Sequence, residues 1–215
     1  MAEIIKLEFD GSARSQKQIK KVEAILDAGG VVAYPTDTQY GLGVNPFNEE
    51  AVLYLYNIKN RPLDKPFIVL ANAVEGLGCL ISDFTSDAKI LMDAFWPGPL
   101  TILCRVLPHL PAKLTADTGK IGVRIPGNKF TRQFLEVLKQ PLTATSANIS
   151  GEKDLTSAIE VDSVLGTQVS AIIDGGGSQR GLPSTVIDAT VSPPVILREG
   201  AISKEQIEPV VGKLA

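Results

Sequence analysis

The stretch from Val31 to Pro62, VVAYPTDTQYGLGVNPFNEEAVLYLYNIKNRP, decides how the rest of the chain is read. Its first residues, Val31–Tyr34, form a compact apolar strand that Pro35 ends. Further on, Asn48 can cap a helix whose apolar positions Ala51, Val52, Leu55 and Ile58 recur at helical spacing. That helix delivers Lys59 and Arg61 at its C-terminal end, where Pro62 closes it. A buried strand followed by an amphipathic helix is the building unit of an α/β sheet.

The alternation extends in both directions. Ile4–Phe9 reads as a strand, and Gln16–Ala28 as a helix with Ile19, Val22, Ile25 and Leu26 at helical spacing and Gly29-Gly30 as its stop. Downstream, strands are expected at Phe67–Ala71, Leu100–Val106, Ile121–Ile125, Leu142–Thr145, Ala171–Asp174, Thr185–Ala189 and Val195–Arg198. Helices are expected at Ser86–Phe95, ended by the Trp96-Pro97-Gly98-Pro99 turn, and at Phe130–Lys139 behind an Asn128 cap. Two more should include Ile159–Leu165 and start near Lys204. The pattern predicts one α/β domain over residues 1–215, built on a twisted, mixed sheet. The glycine-rich stretch Asp174–Gly181 is the candidate mobile loop.

Composition narrows the chemistry. With 44% hydrophobic residues, a chain of 215 residues can build a substantial core. The formal net charge of −3 supplies no global basic field, so nucleic-acid contact would need a local patch. Cys79 and Cys104 match no zinc or redox spacing. Met1–Asp10 lacks the basic start and apolar core of a signal peptide, and no apolar run approaches the ~20 residues of a bilayer span. A cytoplasmic protein with no membrane partner is the expectation. The single histidine, His109, excludes a His-based zinc site, and no metal-ligand set is expected. No G-x-S-x-G elbow is present. Gly122–Lys129 (GVRIPGNK) resembles a phosphate loop, but Asn128 stands where its lysine should follow Gly127.

Charge is what remains. Thr36 and Thr38 follow one predicted strand; Arg124, Ser146 and Arg198 end three others; Ser184 precedes another. Lys59, Arg61 and Lys65 come from a helix end and the loop after it. Singly, each has a plain structural explanation, such as neutralising a helix C-terminus or forming a turn. Together, five cations converging near one sheet edge would suit a polyanion such as a nucleotide, because Arg grips phosphate or carboxylate bidentately.

The motifs that carry these residues are YPTDTQYGLG (Tyr34–Gly43), KNRPLDKP (Lys59–Pro66), WPGPLT (Trp96–Thr101), GVRIP (Gly122–Pro126), TSANISG (Thr145–Gly151), PSTVID (Pro183–Asp188) and LREG (Leu197–Gly200). From about Lys17 to Ile202 the chain resembles the YrdC family of threonylcarbamoyl-AMP synthases, including the family's paired signature as Lys59/Arg61 and Ser146/Asn148. The resemblance implies a twisted, mostly mixed open sheet with flanking helices around a large cationic cavity. It implies a nucleotidyltransferase that makes threonylcarbamoyl-AMP and pyrophosphate from L-threonine, bicarbonate or CO₂, and ATP with Mg²⁺, for t6A modification of ANN-decoding tRNAs. A separate transfer complex would consume the product, and contact with tRNA itself would be weak or indirect.

Residue by residue, the resemblance places Arg61, Lys65, Ser146, Asn148, Asp154 and Arg198 on the ATP side, with Lys59 and Arg61 as the catalytic pair. Thr38, Arg124 and Ser184 fall where the family contacts threonine. Lys120 lies along the nucleotide side and Ala144 near threonine. Leu70 stands where many longer members carry a threonine-binding histidine that shorter members also lack, so the threonine pocket must differ. With Ala215 as its last residue, the chain matches the short, single-domain type. Two other readings stand beside this one: a divergent paralogue acting on another substrate, and a non-enzymatic RNA-binding module.

Overall fold

The computed structural model describes residues 2–178 and 181–215; Gln179 and Arg180, within the expected mobile loop, lie outside the described residues. Strand β1 (Glu3–Lys6) leads into helix α1 (Ala13–Asp27), then β2 (Val32–Pro35), β3 (Tyr40–Gly43) and helix α2 (Glu49–Lys59). Strands β4 (Ile68–Leu70) and β5 (Ile81–Asp83) precede helix α3 (Ser86–Phe95), followed by β6 (Leu100–Val106), β7 (Lys120–Arg124) and helix α4 (Lys129–Leu138). The chain continues through β8 (Leu142–Ser146), helix α5 (Ala158–Leu165), β9 (Ala171–Asp174), β10 (Thr185–Asp188), β11 (Val195–Arg198) and helix α6 (Lys204–Val211).

Local signals set most boundaries. Asn48, Thr85 and Asn128 cap α2, α3 and α4, each side-chain oxygen accepting from the backbone N–H three residues on. Helix α1 begins before the expected Gln16 because Ser12 caps it. Strand β1 stops at Lys6 rather than Phe9 because its partner β9 ends at Asp174; Leu7 stays buried without a ladder. Strands β3 and β5 were not expected. In β3 two glycines dilute the strand signal, and pairing with both β2 and β8 makes the strand.

The sheet is mixed, in the order β1-β9-β2-β3-β8-β4-β7-β6-β10-β11, with β5 on β6. Strand pairs β1/β9, β2/β9, β4/β7 and β6/β10 are parallel; the others are antiparallel. Its central strands are buried on both faces, which is why they read as continuous apolar runs.

The two faces are covered unequally. On one, Ala33, Leu42, Val69, Ile102, Val123, Ile172 and Ile187 join residues of α2, α3, α5 and α6 in a core that runs the length of the sheet. On the other, Val32, Tyr34, Ala171 and Ile173 pack with Val22 and Leu26 of α1 and Phe134, Leu135 and Leu138 of α4. These two helices meet each other and β2. Neither makes a comparable contact with β4, β7, β6, β10 or β11, so half of this face is left without a helix. The strand register puts Ile68, Leu70, Gly122, Arg124, Ala144 and Thr101 on this face; Leu70 and Ala144 still join the α1/α4 cluster, and Gly122, Arg124 and Thr101 lie beyond it.

Candidate active site

A cavity of about 210 Å³ fills the bare half-face. Thr36 and Thr38 from the β2–β3 turn, Arg124, Ala144, Ser146, Ser184 and Arg198 line it, with Phe67, Ile68 and Leu70 as its apolar part. Of the two glycines of β3, Gly41 lines the cavity, where a Cβ would lie 3.2 Å from the Thr36 side chain, and Gly43 lies against the buried Tyr34. A Cβ on Gly43 would come within 2.7 Å of the Tyr34 ring and 2.8 Å of the Thr143 carbonyl. A second hollow, about 240 Å³, is lined by Lys59, Arg61, Lys65, Ser146, Asn148, Ser150 and Gly151. Arg61 and Ser146 line both, so the two hollows are lobes of one site.

A left-handed turn explains how Lys59 and Arg61 come to share it. Residues two apart on a helix point away from each other, but Asn60 ends α2 at φ 46°, ψ 44°. The chain reverses there, and the Arg61 N–H donates back to Tyr56 O at 3.1 Å. Asparagine tolerates this conformation better than most residues.

Lys59 is only 2% exposed. Its ammonium donates to Ser146 O (2.6 Å), Ser146 Oγ (3.2 Å), Asn148 O (2.5 Å) and Asn148 Oδ1 (2.6 Å). Ser146 Oγ in turn donates to Asn148 Oδ1 at 2.6 Å, and Asn148 Nδ2 donates to Glu152 O at 2.6 Å and Asp154 Oδ1 at 3.4 Å. The Ser146–Asn148 loop is therefore folded around a buried cation. Burial pushes the Lys59 pKa down to about 8, Arg61 adds to the shift, and Asp154 opposes it.

The arginines are held by oxygens and keep free edges. Arg61 Nε donates to Lys65 O (2.8 Å) and Nη2 to Pro66 O (3.0 Å), with its guanidinium 5.2 Å from the centre of the Phe67 ring. Arg198 Nη2 donates to Ser184 O (2.8 Å) and Ser184 Oγ (3.2 Å). Burial lowers the pKa of both, and for Arg61 the charge of Arg198 adds to it, after opposition from Tyr56. Arg124, 6% exposed, donates from Nε to Gly98 O at 2.9 Å and forms an ion pair with Asp37. Burial lowers it to about 10, Tyr34 opposing and Arg198 adding to the shift. Among the described residues no ion pair engages Lys59, Arg61, Lys65 or Arg198. In a chain of net charge −3, these four cations line the two lobes without an ion pair among the described residues, with Asp154 and Asp64 acting on Lys59 and Arg61 from nearby.

Residues 24–200 match the model of the Sua5/YciO/YrdC family, described as "Telomere recombination". The chain belongs to this family. It is 38% identical over 197 residues to a threonylcarbamoyl-AMP synthase of Pyrococcus abyssi, covering 92% of this chain and 58% of the relative. It is 37% identical over 206 residues to a Bacillus subtilis protein of the same name, covering 95% and 60%. The chain thus spans about three fifths of the length of these two relatives. The crystal structure of P. abyssi Sua5 complexed with L-threonine superposes over the whole chain and 62% of that protein, with a TM-score of 0.88 and 34% identity.

Within this Sua5/YciO/YrdC fold, Thr38, Arg61, Arg124, Ser146, Ser184 and Arg198 line the first lobe, and Lys59, Lys65 and Asn148 line the second. Two residues stand apart. Lys120 reaches Asp188 Oδ2 at 2.8 Å and does not line the cavity. Asp154 lies behind the Ser146–Asn148 loop, next to Asn148. Sequence reasoning missed Phe67 and Ile68 as lining residues and Asp37 as the partner of Arg124. Only strand pairing reveals that Ile68 and Leu70 share the face of Arg124.

Proposed function

We propose that the chain is an L-threonylcarbamoyladenylate synthase, a nucleotidyltransferase of the cytoplasm whose residues 1–215 form a single catalytic domain. The observation that carries the reading is the pair of lobes meeting at Arg61 and Ser146. One lobe offers the paired Arg124, hydroxyls and apolar surface, which suits a small amino acid, with Arg61 and Arg198 also in its lining for the phosphates. The other offers cations with no anionic partner among the described residues, which suits a triphosphate. The names of the relatives and the threonine in the P. abyssi Sua5 crystal support the same substrates.

In this reading Arg124 holds the threonine carboxylate while Thr38 and Ser184 hydrogen-bond the amino acid. Its amine, once deprotonated, attacks the carbon of CO₂: an N–C bond forms, one C–O π pair moves onto oxygen, and the nitrogen gives up a further proton to solvent, leaving a carbamate. A carbamate oxygen then attacks the α-phosphorus of ATP, the bond to the β-phosphate oxygen breaks, and pyrophosphate leaves. Arg61, at the junction of the lobes, stabilises the charge that builds on the α-phosphate. Lys65 and Arg198 hold the remaining phosphates, and Lys59 holds Ser146 and Asn148 in place. Positioning and fixed charge supply the acceleration without a protein nucleophile.

Among the described residues no three His, Cys, Asp or Glu side chains group together. This cationic, hydroxyl-rich donor set does not fit a protein-held Mg²⁺, so the ion would arrive on the phosphate oxygens. The product would pass to a separate complex that modifies tRNA.

The test incubates the purified chain with ATP, radiolabelled bicarbonate and each amino acid in turn. A labelled adenylate with equimolar pyrophosphate is expected with threonine alone. Labelling with another amino acid, or none, overturns the reading. A filter-binding titration with tRNA should show weak retention.

A further inference from the structure

Each lobe has a carboxylate just outside its lining, but among the described residues only the one at the Arg124 lobe forms an ion pair with a lining cation; at the other lobe Asp154 meets Asn148. Asp37 sits in the β2–β3 turn between the cavity residues Thr36 and Thr38, and it forms an ion pair with Arg124. The pair is well shielded, with side-chain exposures of 8% for Arg124 and 21% for Asp37. Arg124 is anchored a second time through Nε to Gly98 O, while the Gly98 N–H donates to Ile125 O at 2.9 Å. Three separate stretches, YPTDT, WPGP and GVRIP, thus converge on one guanidinium. They leave no spare room: a Cβ on Gly127 would lie 3.1 Å from Asp37 Oδ1, and one on Gly98 would strike the Phe95 carbonyl.

We propose that Asp37 is a positioning and sorting residue: it fixes the edge that Arg124 presents to the cavity and cancels that arginine's charge, so the Arg124 part of the lobe accepts an amino-acid zwitterion and leaves phosphate to Arg61, Arg198 and Lys65. Arg61 and Arg198 line the same cavity with no anionic partner among the described residues. Without Asp37 a triphosphate would find a third free arginine close by and could seat itself wrongly. With Asp37 the surroundings of Arg124 are near neutral, and the polyanion is drawn to Arg61, Arg198 and Lys65, unpaired among the described residues. A specificity built this way works by repelling the wrong ligand as well as gripping the right one.

The inference rests on the amino-acid reading of the Arg124 lobe. The test compares steady-state kinetics of the wild-type chain, Asp37→Asn, Asp37→Glu and Arg124→Gln, with tripolyphosphate as the probe anion. Asp37→Asn should raise the threonine KM about tenfold or more, the range for a lost charged hydrogen bond, and leave the ATP KM within about twofold. Tripolyphosphate should become competitive with threonine in Asp37→Asn only, and Asp37→Glu should restore part of the threonine affinity. A purely structural role would move both KM values or the melting temperature without creating that competition, and this result overturns the proposal. If Arg124→Gln leaves the threonine KM unchanged, the amino-acid reading of the lobe itself falls. If Arg124→Gln raises it and Asp37→Asn does not, only the role of Asp37 falls. Should Asp37→Asn not fold, calorimetry on the wild-type chain decides: threonine and tripolyphosphate should bind together, and displacement of one by the other refutes the sorting.

Discussion

At the scale of single residues, the two signature cations differ in what surrounds them. Lys59 is enclosed by four oxygen acceptors, whereas Arg61 is half-buried and rests on two loop carbonyls. Lys59→Met would leave buried oxygens without donors, so it should cost about 3 kcal/mol of stability and also reduce turnover. Arg61→Ala should reduce turnover by ~10²–10³ and leave stability almost unchanged. Denaturant melts and pyrophosphate release measured on both variants separate the two roles. The lowered Lys59 pKa also gives a pH signature. Its charge is present below about 8 and is lost as pH rises through that value, leaving too few N–H groups for the surrounding oxygens. An ATP anion favours the charged form, so binding should take up protons near pH 8 and weaken above it. Titrating ATP without threonine, from pH 7 to pH 9.5, checks this free of the amino acid's own ionisation.

At the scale of elements, the end of α2 and the strand pair β2–β3 shape the walls of the site. Asn60 occupies left-handed space, so Asn60→Gly should be tolerated. Asn60→Val should cost roughly 1–2 kcal/mol and raise the ATP KM by misdirecting Arg61; thermal melts with ATP kinetics distinguish the two. Much of this level could be read from the chain: the caps Asn48 and Asn128 and most apolar strands appear where local rules put them, while α2 stops at the left-handed Asn60 before Pro62 is reached. Strand β3 could not, because Gly41 and Gly43 are poor strand formers whose value lies in what they leave out. Strand β1 was expected to be longer, since an apolar pattern cannot show where a partner strand runs out.

At the scale of the whole molecule, the site exists because α1 and α4 cover only part of a sheet face. Filling the uncovered part should block it without unfolding the protein. Ala144 is on the cavity wall, so Ala144→Leu should weaken threonine binding at least tenfold while the melting temperature shifts by only a few degrees. Calorimetry with threonine, alongside a thermal melt, tests this; a lost fold or unchanged affinity would count against the cavity as the binding site.

The chain by itself determined the alternation of elements, the capped helix ends and the chemical kind of the site. Those depend on neighbours within a few residues and on which side chains are present at all. Only the tertiary structure decided that Lys59 spends its charge inward on the Ser146–Asn148 loop and that Asp37 meets Arg124. It alone also decided that one half-face stays open. The physical reason is that burial, pairing and pKa depend on groups far apart in sequence, brought together by strand order and register rather than by spacing along the chain.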